Sequence, residues 1–128
     1  MESHHLRTLD GRAHVVFWSG CAGKYSKLAS DAHVKQGVHV GGRAFRTVEE
    51  ALAEDASEER ELAALRSKFG RSRELQGILA ATGSALLLAL DNELAAPSRR
   101  GGRVAAGVIV GHNRSGALLM QVRRELSM

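Results

Sequence analysis

Glu49 is the side chain best placed to do chemistry in this 128-residue chain. Thr47-Val48-Glu49-Glu50 fits a capping box, with Thr47 at the N-cap and Glu50 at the third helical position. That spacing puts Glu49 at the second helical position, where the positive end of the helix dipole favours an ionised carboxylate. An ionised carboxylate at a fixed helix start can orient a water, attack, or stabilise a cationic sugar transition state. It makes a poor general acid. The plainer alternative is an acid that only complements the dipole.

A second candidate is Gly111-His112-Asn113-Arg114-Ser115-Gly116, between an apolar run and a helical pattern. A strand-to-helix junction offers free backbone N–H groups and a positive dipole end, the preconditions for binding a phosphate. Arg114 can add a charge-assisted contact and Asn113 an amide, with the N–H groups near Ser115 and Gly116 completing the cradle. The glycine spacing matches neither standard nucleotide fingerprint. An ordinary turn capped by Asn113 or Ser115 is the competing explanation.

The histidines promise less. His33 and His39 are six residues apart on one expected strand face, and no spacing typical of a metal site occurs. No metal and no cofactor is expected. Cys21, the single cysteine, excludes an internal disulfide framework and a Cys-rich zinc site.

Several elements must position these groups. Residues 13–18 suit a short strand, followed by a loop over 19–30 with Tyr25 as an apolar anchor. Residues 33–40 and 43–45, joined by Gly41-Gly42, suit a hairpin with a primed two-residue turn. A helix starts at Thr47. Leu62, Leu65 and Phe69 form the inner stripe of a second helical piece, which Gly70 can close. Ser72 can cap a third, carrying Leu75, Ile78 and Leu79. Residues 85–90 suit a buried strand and 104–110 another. A last helix from Ser115 places Leu118, Leu119, Val122 and Leu126 on one face. Strands and helices mix without clean βαβ alternation, so the expected class is α+β, a small mixed sheet with packed helices.

Length and composition set the frame. One domain is expected over residues 13–128, after a disordered N-terminal tail over 1–12. Hydrophobic residues at 44% and charged residues at 25% are globular values that argue against disorder. No apolar run approaches the roughly 18 residues of a membrane span, and the polar N-terminus lacks a secretory core, so a cytoplasmic protein is expected. The formal net charge is +4, unevenly distributed. Glu49, Glu50, Glu54, Asp55, Glu58, Glu59 and Glu61 crowd one stretch, while ten basic and four acidic residues follow from Arg66 onward. That asymmetry suits a phosphate-bearing ligand or nucleic acid on the C-terminal half, or two solvated helix faces of opposite sign.

Taken in order, several blocks resemble the NADAR superfamily. Thr47-Val48-Glu49-Glu50 is similar to its T-V-E-H motif, with Glu50 in place of the histidine. Lys68-Phe69 is similar to its K-F segment, and Ile78-Leu79-Ala80-Ala81-Thr82-Gly83 to its L-L-x-T-G turn. Gly111 through Leu126 is similar to its C-terminal G-x-N-x-x-G-x-x-L-M-x-V-R-x-x-L. Phe17 and Gly23-Lys24-Tyr25-Ser26 look like the family's opening strand and loop. The order holds over roughly residues 15–126.

The resemblance implies N-glycosidase chemistry on a ribosyl-phosphate or ADP-ribosyl substrate, in the class of riboflavin-pathway intermediates or ADP-ribosylated guanine. It maps the family glutamate onto Glu49 and the family asparagine onto Asn113. Lys24 and Tyr25 are implied as substrate contacts beside Asn113, Arg114, Ser115 and Gly116. Relatives carry an acid and a Trp-Gly pair after the strand that follows T-G. Here residues 91–98 hold Asp91 and Glu93 but no tryptophan; either can replace the family acid, and Asp91 is taken as the second catalytic carboxylate. An enzyme is favoured. The alternative is a non-catalytic ADP-ribose or nucleic-acid-binding module using Arg99, Arg100, Arg103, Arg114, Arg123 and Arg124.

Overall fold

Three of the four α-helices among the described residues begin where a short hydroxyl side chain caps them. The computed structural model describes residues 5–7, 13–17, 25–89, 103–105, 108–110 and 113–127. Thr47 Oγ1 accepts the Glu50 N–H at 3.0 Å and opens α1 (Val48–Ala51). Ser57 Oγ accepts from the Arg60 N–H at 3.2 Å and opens α2 (Glu58–Gly70). Ser72 Oγ accepts from the Leu75 N–H at 3.2 Å and opens α3 (Arg73–Ala81). The last helix, α4 (Arg114–Leu126), starts differently: Asn113 sits in the left-handed region, φ 50° and ψ 42°, with no side-chain cap.

Seven strands accompany them among the described residues: β1 (His5–Arg7), β2 (Ala13–Phe17), β3 (Val38–Val40), β4 (Arg43–Phe45), β5 (Leu86–Ala89), β6 (Arg103–Ala105) and β7 (Val108–Val110). A three-stranded mixed sheet runs β1-β2-β5, with β1 antiparallel and β5 parallel to β2. Val15 opposes Leu87 and Phe17 opposes Ala89 across the parallel pair. Parallel neighbours need a crossover, and α1, α2 and α3 all lie in the connection between β2 and β5. On β5, consecutive Leu87 and Leu88 are both fully buried, as expected of a strand covered on both faces. The core joins Val15, Phe17 and Leu87 of the sheet to Val48, Leu65, Phe69, Leu79, Leu119 and Val122 of the helices. The class is α+β, as the mixed pattern predicts. No helix of the described residues is long and apolar enough to cross a membrane.

Three local expectations are corrected. Residues 5–7 of the expected tail form β1, paired in the register His5 to Val15 and Arg7 to Ala13. The strand expected over 33–40 is only β3, because residues 34–37 turn: the Gly37 N–H donates to Val34 O at 2.9 Å, and Gly37 has φ 80°. The strand expected over 104–110 is instead the hairpin β6–β7, since Ala105 opposes Val108 and leaves a two-residue connection. The β3–β4 turn is as expected, with Gly41 and Gly42 at φ 59° and 78°, values that two-residue primed turns require.

Candidate functional site around Glu49

Glu49 occupies the second position of α1, with its side chain exposed. Because α1 is a single turn, little macrodipole is available, and the carboxylate is oriented mainly by direct contacts. Ser30 Oγ donates to Glu49 Oε1 at 2.5 Å, while the Glu49 N–H donates to Ser30 O at 2.9 Å. The two residues thus clasp each other through both backbone and side chain. Neighbouring Glu50 turns away and accepts from Arg46 Nε at 3.2 Å.

The segment carrying Ser30 is itself held from below. Lys68 Nζ, on a fully buried side chain of α2, donates to Ala29 O at 3.0 Å. Burial pushes the Lys68 amine down from its ordinary 10.5 to about 7, and the nearby Asp31 carboxylate offsets part of that fall. An amine donates in either protonation state, so the Ala29 contact does not require the charge. A chain of contacts therefore runs from Lys68 through Ala29 and Ser30 to Glu49.

The expected phosphate cradle has a different arrangement. Asn113 Nδ2 donates to Leu87 O and Asn113 Oδ1 accepts from the Ala89 N–H, both at 2.9 Å. Its amide thereby continues the hydrogen bonding of β5. Arg114 Nε donates to Glu61 Oε1 at 2.9 Å and its Nη2 to Ala56 O at 2.6 Å. Ser115 Oγ donates to the other Glu61 oxygen. A Cβ on Gly116 would lie 2.2 Å from Leu87 O, so only glycine lets α4 approach β5 this closely. These four residues lock α4 onto β5 and α2, with their side-chain polar groups occupied by the protein itself.

Tyr25 is buried in the core. Lys24, Asp91, Arg99 and Arg100 lie outside the described residues, and the side chain of Arg103 does as well. His33 and His39 are exposed, and no group of three or more potential metal ligands occurs among the described residues. Sequence reasoning missed Ser30, the burial of Lys68, and Glu61. The last two carried a signal: Glu61, Leu65 and Lys68 recur at i, i+4 and i+7, which places two charges on the apolar stripe of α2.

The α+β layout of this chain has a counterpart of known structure. The NMR structure of the E. coli protein YbiA is similar to it, with a TM-score of 0.57 and 25% sequence identity over 89% of this chain and 84% of that one. No protein-family model and no curated protein matches the sequence.

Proposed function

We propose that this chain is a short NADAR-like N-glycosidase that hydrolyses the bond between a ribosyl carbon and a base nitrogen, with Glu49 as its principal carboxylate. The observation that carries the reading is the Ser30–Glu49 clasp, which fixes a carboxylate at the position where the T-V-E block falls. The YbiA-like fold supports it.

Charge develops at the anomeric carbon as the C–N bond loosens, and a pre-positioned carboxylate stabilises that oxocarbenium character without reorganising. Water oxygen then adds to the carbon, Glu49 takes up a water proton, and the bonding pair leaves with the base nitrogen. Asp91 is the proposed second carboxylate, the donor to that nitrogen. The Asn113–Gly116 block contributes by fixing α4 under the sheet, because its side chains are already engaged with Glu61, Ala56, Leu87 and Ala89. Proposed substrates are ADP-ribosylated guanine and phosphorylated riboflavin-pathway intermediates.

The test is base release, followed chromatographically, from ADP-ribosylated guanosine and from phosphorylated pyrimidine N-glycosides. Release from either class supports the reading. No release from both, with binding that weakens steeply as salt rises, moves the assignment to a charge-driven nucleic-acid binder.

A further inference from the structure

We propose that the cleft between α3 and the C-terminal half of α4 binds a small amphipathic anion, an apolar ring system carrying a phosphate, whose simplest form is a nucleoside monophosphate. This site is independent of the Glu49 reading.

The cleft has a volume of about 650 Å³, with walls that include Arg73 and Gly77 from α3 and Met120, Arg123, Arg124 and Leu126 from α4. That volume falls within the range of small-molecule sites. Glu49 and residues 113–116 are not among its lining residues. Arg124 lies ten positions along the helix from Arg114, about 15 Å along the axis.

Three observations converge on the ligand. Among the described residues, every charged one lining the cleft is an arginine, so the field inside it favours an anion. Leu126, 42% exposed, is the exposed large hydrophobic side chain among the described residues, and it lines this cleft, as does Met120. Gly77 is the third. It sits inside α3, where glycine is the poorest helix former short of proline. A Cβ there would meet no atom within 4 Å, and its φ is not positive, so neither packing nor backbone conformation requires glycine. A bare stretch of helix in a cleft wall lets a flat ring lie close against the backbone. Arg123 is fixed by donating to the buried Thr82 hydroxyl at 2.8 Å, and exposed Arg73 and Arg124 supply the phosphate contacts.

The experiment is an NMR titration of the isotope-labelled full chain with adenosine 5′-monophosphate, with adenosine and inorganic phosphate as separate probes. The nucleotide should bind saturably, shift the Gly77 and Leu126 amides, and bind at least tenfold tighter than either probe alone. Gly77→Ala should raise the melting temperature while weakening binding severalfold. Gly77→Leu should abolish binding in a chain that stays folded, and Arg73→Ala with Arg124→Ala should weaken it tenfold or more. The proposal is overturned if Gly77→Leu leaves nucleotide affinity unchanged, or if Gly77→Ala lowers the melting temperature. It is equally overturned if only an oligonucleotide binds, with steep salt dependence and indifference to Gly77.

Discussion

The Ser30 hydroxyl holds one oxygen of Glu49 at 2.5 Å, which separates the two contributions a carboxylate makes, its charge and its direction. Ser30→Ala keeps the charge and loses the direction. Its turnover should fall about tenfold, the kinetic weight of one hydrogen bond to a charged group, while the substrate KM changes little. Steady-state kinetics beside thermal melting checks this; an unchanged turnover removes Ser30 from the site. Lys68 offers a test that needs no substrate. Its amine titrates near 7 in the fold against 10.5 in its ordinary state, mainly because of burial. Between those values the unfolded chain binds the extra proton and the folded chain does not, so stability rises as pH increases from about 7 to 10.5. Below pH 7 both states are protonated and the burial penalty is fully present. Urea midpoints across that window should climb for wild type and lose this climb in Lys68→Met. Parallel curves contradict the burial of an ionisable amine.

At the scale of elements, the start of α4 is the joint on which the fold depends. Arg114 meets Glu61, whose side chain is 1% exposed, so removing the guanidinium takes a charge-assisted partner from a buried carboxylate. Arg114→Ala should cost about 3–5 kcal/mol, as broken buried pairs do. Arg66 also reaches an acid on α4, Glu125, through two bonds of 3.0 and 2.7 Å, but in solvent. Arg66→Ala should leave the melting temperature nearly unchanged. Denaturant curves of the two variants compare directly, and equal losses refute the burial argument. The caps at Thr47 and Ser72, the Gly41-Gly42 turn and the Leu65–Phe69 stripe were legible because each is written in neighbouring residues. The β1 pairing was not, since a three-residue strand becomes visible only through its partner β2. The β6–β7 hairpin was hidden inside one apolar run. Asn113 was legible as a special residue but not in its role: its amide serves β5, a contact 24 and 26 residues away along the chain.

Over the whole molecule, the uneven charge of the sequence is partly cancelled by folding. Glu54 meets Arg43 at 3.7 Å, Glu50 meets Arg46 at 3.2 Å, and Glu61 meets Arg114 at 2.9 Å. The acid-rich stretch is therefore tied to cations from two other parts of the chain, residues 43–46 and Arg114, and Arg114 is withdrawn from the basic surface. What remains for function is a fold like that of YbiA with a clasped, exposed glutamate. The most direct test of that glutamate is base release from ADP-ribosylated guanosine by Glu49→Gln beside wild type, with melting temperature and ligand affinity recorded on the same samples. Removing the charge while keeping the shape should slow release on the order of a hundredfold or more, with melting and affinity nearly unchanged. Wild-type release rates from a folded Glu49→Gln protein would contradict the assignment.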